Sequence, residues 1–80
     1  MMFSGGGNMD FTERLKAARL DADMTQAALA AQIGISQKQY GRYETGVNEM
    51  PLHYLVPLCR LLGISADYLL GLPRGLEWPR

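Results

Sequence analysis

Midway along the chain, Gln37, Lys38, Gly41 and Arg42 recur so that a helix would carry all four on one side, with Tyr40 and Tyr43 opposite. Their types define one chemistry well. Arg can bond in two-point fashion to a guanine edge, Gln to adenine, and Lys to guanine or a phosphate oxygen. An ordinary solvated helix face would also be polar, so composition alone does not separate the two readings. Context adds weight. A tight turn and a helix cap come just before, and Gly41 lowers helix stability by about 0.5–1 kcal/mol relative to Ala. Close approach of the backbone to a partner would justify that loss. Gln26, at the start of the preceding segment, could direct its amide and backbone N–H at a phosphate, since helix N-termini attract anions.

These side chains need two short helices to hold them. Thr25 is a good N-cap, and Gln26 to Ile33 follows as a helix with Leu29 and Ile33 four apart. The intervening alanines favour helix and permit close packing. Gly34 stands where a left-handed cap belongs. Ser36 caps the next helix, Gln37 to about Glu44, with Gln39 placed to complete a capping box, and Gly46 ends it. Only Gly34 and Ile35 separate the two elements. A link that short makes them cross at a wide angle, as in a helix-turn-helix.

The rest of the chain reads as support. Asp10 and Glu13 fit a capping box for a first helix, Phe11 to Ala22, striped by Phe11, Leu15, Ala18 and Ala22. Asp23 and Met24 link it onward, Asp being tolerant of left-handed backbone. Val47 to Met50 is a loop. Leu52, Leu55, Val56, Cys59 and Leu62 then describe a fourth helix with a broad apolar face, and Pro57 must lie in its first turn or kink it. Ser65 caps a short fifth helix through Tyr68, Leu69 and Leu70, stopped by Gly71. The fold class expected is all-α: a compact five-helix domain over residues 9–72. A flexible tail of residues 1–8 precedes it, and an irregular tail of residues 73–80 follows. Trp78 in that second tail has three readings: packed on the core, engaged with a second subunit, or disordered.

Eighty residues make one domain, near the lower limit for a core without staples. A single cysteine, Cys59, excludes an internal disulfide and a multi-cysteine zinc site. His53 is the only histidine, no glycine-rich phosphate loop appears, and Asp21 with Asp23 lack a companion nucleophile. No enzyme, metal or cofactor is expected. With no signal peptide and no apolar run near the ~20 residues of a membrane span, a cytoplasmic protein is expected. Eight Lys and Arg balance eight Asp and Glu, which counts against nucleic-acid binding unless one face is locally basic.

Four pieces in order resemble the Cro and phage-repressor type of helix-turn-helix domain: RLKAAR, the TQxxLAxxxGIS run of Thr25 to Ser36, RYETG of Arg42 to Gly46, and GISADYLLG of Gly63 to Gly71. The resemblance covers roughly Phe11 to Leu72. It implies that the third helix enters the major groove of double-stranded DNA and that the second crosses the backbone. Gln37, Lys38 and Arg42 would then touch bases, while Gln26, Ser36, Gln39 and Thr45 would contact the backbone. Arg19 and Glu44 match positions that pair as a salt bridge in some relatives. Members usually bind palindromic sites as dimers, so a homodimer is implied. Departures are Ala28 in place of a common capping Glu, Asp23 in place of a frequent Gly, and Pro57. The loop from Val47 to Met50 carries Glu49 and no Lys or Arg, which implies few phosphate contacts and a shallow salt dependence.

The resemblance implies a dimeric transcriptional repressor. The alternative is a protein-interaction module, such as an antitoxin-like subunit, with DNA binding secondary; zero net charge and the apolar, aromatic tail favour it.

Overall fold

The computed structural model describes residues 10–71, so the expectations for both tails, including Trp78, lie outside the described residues. Five α-helices occur in chain order: α1 (Phe11–Asp21), α2 (Gln26–Ile33), α3 (Gln37–Thr45), α4 (Leu55–Leu62) and α5 (Ala66–Leu70). A short 3-10 turn, Leu52–Tyr54, leads into α4.

The start of α1 is the expected capping box. Asp10 Oδ1 accepts from Glu13 N at 3.0 Å, and Asp10 N donates to Glu13 Oε1 at 3.1 Å. Its end is held by two backbone bonds, Asp23 N to the Leu20 carbonyl (3.0 Å) and Met24 N to the Arg19 carbonyl (3.2 Å). That pattern requires a left-handed residue between helix and link, and Asp23 supplies it at φ 57°. The chain thus turns on an aspartate where glycine would be the strain-free choice.

Leu15 and Ala18 are buried, with Phe11 and Ala22 packed against them from either end of α1. Leu29 and Ala30 of α2, Tyr40 of α3, Leu58 and Leu62 of α4 and Leu69 of α5 complete the buried cluster. α1 packs against both α3 and α5, and α2 packs against α3. Arg14 reinforces the α1–α5 contact: its guanidinium lies 5.5 Å from the Tyr68 ring centre and donates to the Tyr68 carbonyl at 3.4 Å.

The fourth helix departs from expectation. Leu52 and Val56, read as part of its apolar face, are 79% and 57% exposed. Leu58, absent from that reading, is fully buried. Leu52 lies outside the helix, in the 3-10 turn Leu52–Tyr54. Within α4 the ordinary helical period puts Leu58 on the side of Leu55 and Leu62 and turns Val56 away from it. Leu55, Leu58, Cys59 and Leu62 form the inward stripe. Pro57 lies in the first turn of α4, where a missing donor costs no helix bond.

Candidate nucleic-acid interface

α2 and α3 are joined by the short turn foreseen in the sequence. Gly34 takes φ 82°, and Ile35 N closes on the Ala30 carbonyl at 3.0 Å. Thr25 Oγ1 accepts from Ala28 N at 3.0 Å, and Ser36 Oγ accepts from Gln39 N at 3.0 Å. Both helices are therefore capped at their N-termini by the side chains expected. The Ser36 box is only half made. Gln39 turns its Nε2 to the Tyr43 hydroxyl at 2.8 Å instead of back to the cap, because Tyr43 lies one turn along the same side.

Tyr40, Tyr43 and Glu44 are the buried residues of α3, and Gln37, Lys38 and Arg42 are exposed on it. That division resolves the charge question locally. Glu44 is the one acid of α3, and it is buried against Arg19, so Lys38 and Arg42 set the charge of the exposed side. α2 carries no charged residue at all. The exposed side of α3 is thus locally basic in a protein of zero net charge, with exposed acids such as Glu13, Asp21, Asp23 and Glu49 on other segments.

Around Glu44 the side chains converge. Arg19 Nε donates to Oε2 at 2.8 Å and Nη2 to Oε1 at 3.0 Å, a two-point contact between α1 and α3. Arg19 Nη1 also donates to the Met24 carbonyl at 2.8 Å, tying the link before α2 into the same cluster. The Tyr40 hydroxyl donates to Oε2 at 2.6 Å, and Gln26 Nε2 donates to Oε1 at 3.1 Å. Burial by itself would raise the Glu44 carboxyl, but donors from Arg19, Tyr40 and Gln26 outweigh it and hold the group below its ordinary range. Burial, then the bond to Glu44, pushes the Tyr40 phenol well above its ordinary range. The Tyr40 and Gln26 links were not read from the sequence. The four-residue spacing of Tyr40 and Glu44 was the available signal for the first.

Two other expected contacts have internal partners. The Thr45 hydroxyl donates to the Gly41 carbonyl at 2.9 Å, which leaves it an acceptor toward solvent. Gly41, expected on the outer side with Gln37, Lys38 and Arg42, is instead half-buried toward α2, where an added Cβ would stand 3.6 Å from Gln26 Oε1. Asn48 N closes the following loop onto the Arg42 carbonyl at 3.2 Å. Among the described residues no group of His, Cys, Asp or Glu could hold a metal ion, and no helix is long and apolar enough to cross a membrane.

Five helices with this turn, and an exposed polar side on the second helix of the pair, define a helix-turn-helix domain. A family model described as helix-turn-helix matches residues 15–69. The chain is 42% identical over 62 residues to the HTH-type transcriptional regulator YobD of Bacillus subtilis, covering 78% of this chain and 55% of that protein. It is 40% identical over 63 residues to the cryptic phage CTXphi transcriptional repressor RstR of Vibrio cholerae, covering 79% and 56%. Among solved structures, the P22 c2 repressor in complex with a synthetic operator superposes with a TM-score of 0.72 at 32% identity, covering 79% of this chain and 96% of that one. The chain belongs to the helix-turn-helix family, of the Cro and phage-repressor type. It spans a little over half the length of the curated relatives it matches.

Proposed function

We propose that this chain is a sequence-specific, DNA-binding transcriptional regulator that acts as a repressor by occupying an operator. α3 lies in the major groove of double-stranded DNA, with Gln37, Lys38 and Arg42 on base edges. Gln26, Ser36, Gln39 and Thr45 lie along the sugar-phosphate backbone and fix the register. The observation that carries this reading is the sorting of α3 into a buried side, Tyr40, Tyr43 and Glu44, and an exposed side with Lys38 and Arg42. The likeness to regulators, and to a repressor solved with its operator, supports it. The chemistry is recognition, without catalysis and without a cofactor, in the cytoplasm.

The active form is a homodimer. Leu52 and Val56, both exposed, give a second copy an apolar surface to cover. Two copies would place their α3 helices about one DNA turn apart on a palindromic site. Selection of bound duplexes from a random pool tests the proposal. A single enriched palindromic motif is expected. Retention of a protein partner with no salt-dependent DNA binding would instead favour the interaction-module reading.

A further inference from the structure

The Arg19–Glu44 pair reaches beyond the two helices it joins. Glu44 Oε1 accepts from Arg19 Nη2 and, at 3.1 Å, from Gln26 Nε2, the first residue of α2. An ionised carboxylate only accepts, so this contact fixes which end of the Gln26 amide faces inward. The other end, Oε1, lies over α3 at Gly41, within ordinary contact of where a Cβ would be. The amide is thereby anchored to α3 through its nitrogen at Glu44. Its nitrogen carries a second hydrogen, for which the described residues supply no acceptor. Beside it are the Gln26 and Ala27 N–H groups, which a helix leaves without partners of its own, Ala28 N being taken by the Thr25 cap.

The geometry points to Glu44 as a positioning residue for DNA binding: it holds the Gln26 amide so that its second N–H and the first turn of α2 meet one backbone phosphate together. This rests on the reading of α2 as the helix that crosses the DNA backbone. Two physical consequences follow from the arrangement. A glutamine already fixed in one rotamer loses little side-chain entropy when it binds. A carboxylate near a phosphate would repel it, and the two-point grip of Arg19 neutralises that charge.

A double-mutant cycle on a mixed-sequence DNA duplex tests this, because phosphate contacts do not depend on base sequence. All variants are compared at a temperature where circular dichroism shows them folded. Gln26→Ala should weaken binding about tenfold. The slope of affinity against salt should stay unchanged, since a neutral amide releases no counterion. In Glu44→Gln the remaining side-chain oxygen goes to Arg19 and Tyr40, which sets an NH2 against that of Gln26. The same weakening is expected, with no further loss when the two substitutions are combined. Equal and additive losses would overturn the positioning role while leaving the phosphate contact intact. No loss in Gln26→Ala would overturn both the contact and the role. If Glu44→Gln does not fold, side-chain NMR of the native protein decides. A single Gln26 rotamer, unchanged on adding the duplex, is expected, and averaging over several rotamers in the unbound protein overturns the proposal.

Discussion

Arg19 of α1 and Glu44 near the end of α3 meet through two parallel bonds, Nε to Oε2 at 2.8 Å and Nη2 to Oε1 at 3.0 Å, with both side chains buried. Burial is what gives this pair its leverage. Removing one member leaves the other as an uncompensated charge, a loss of about 3–5 kcal/mol, whereas exposed pairs are worth a fraction of that. Arg19→Met should therefore lower stability by an amount in that range, read from urea unfolding. Combining it with Glu44→Leu should recover part of the loss, because no buried charge remains. A loss below about 1 kcal/mol for the single variant would mean that water reaches the pair.

The same cluster sets the limits of stability with pH. The folded state holds Glu44 below its ordinary value of 4.5, so its contribution is complete above that pH and fades as pH falls below it. Tyr40 is displaced upward from 10.0, so its contribution is complete below that pH and fades as pH rises above it. Thermal unfolding across pH should show both limbs. The acid limb should flatten in Glu44→Gln and the alkaline limb in Tyr40→Phe.

Asp23 holds a left-handed turn at φ 57° that closes the end of α1. Glycine adopts that conformation without a Cβ penalty. Asp23→Gly should raise stability by about 0.5–1 kcal/mol, measured as an upward shift in melting temperature. A fall would show that the Asp side chain contributes more than its backbone strain removes.

Gly41 presents a different trade. A Cβ there would stand 3.6 Å from Gln26 Oε1, an ordinary contact, so alanine fits within the fold. Gly41→Ala should stabilise α3 by about 0.5–1 kcal/mol. If α3 approaches DNA closely at this point, the same variant should bind DNA more weakly. Melting and binding measured on one preparation separate the two effects.

Apart from the start of α4, the helix boundaries were legible because they depend on local rules: Asp10, Thr25, Ser36 and Ser65 cap, and Gly34, Gly46, Gly63 and Gly71 stop. The division of α3 into buried tyrosines and exposed Gln37, Lys38 and Arg42 followed from helical period alone. The 3-10 turn before α4 did not, since its tightening depends on tertiary packing, whereas the place of Leu58 on the inward stripe of α4 follows from helical period and was missed. The Tyr40 link to Glu44 was within reach through its four-residue spacing, but the Gln26 link was not. Gln26 reaches Glu44 from α2, and that meeting depends on how α2 and α3 cross.

Reading of base edges by α3 is the central claim, and Arg42 is its most direct probe. Duplex selection should be run in parallel with the native protein and with Arg42→Ala. The native protein should enrich one motif. Arg42→Ala should lose preference at a single base position in each half-site, with affinity for the native motif lower by about 1–3 kcal/mol. Enrichment of the same motif at the same strength by both proteins would contradict the account, as would no enrichment by either.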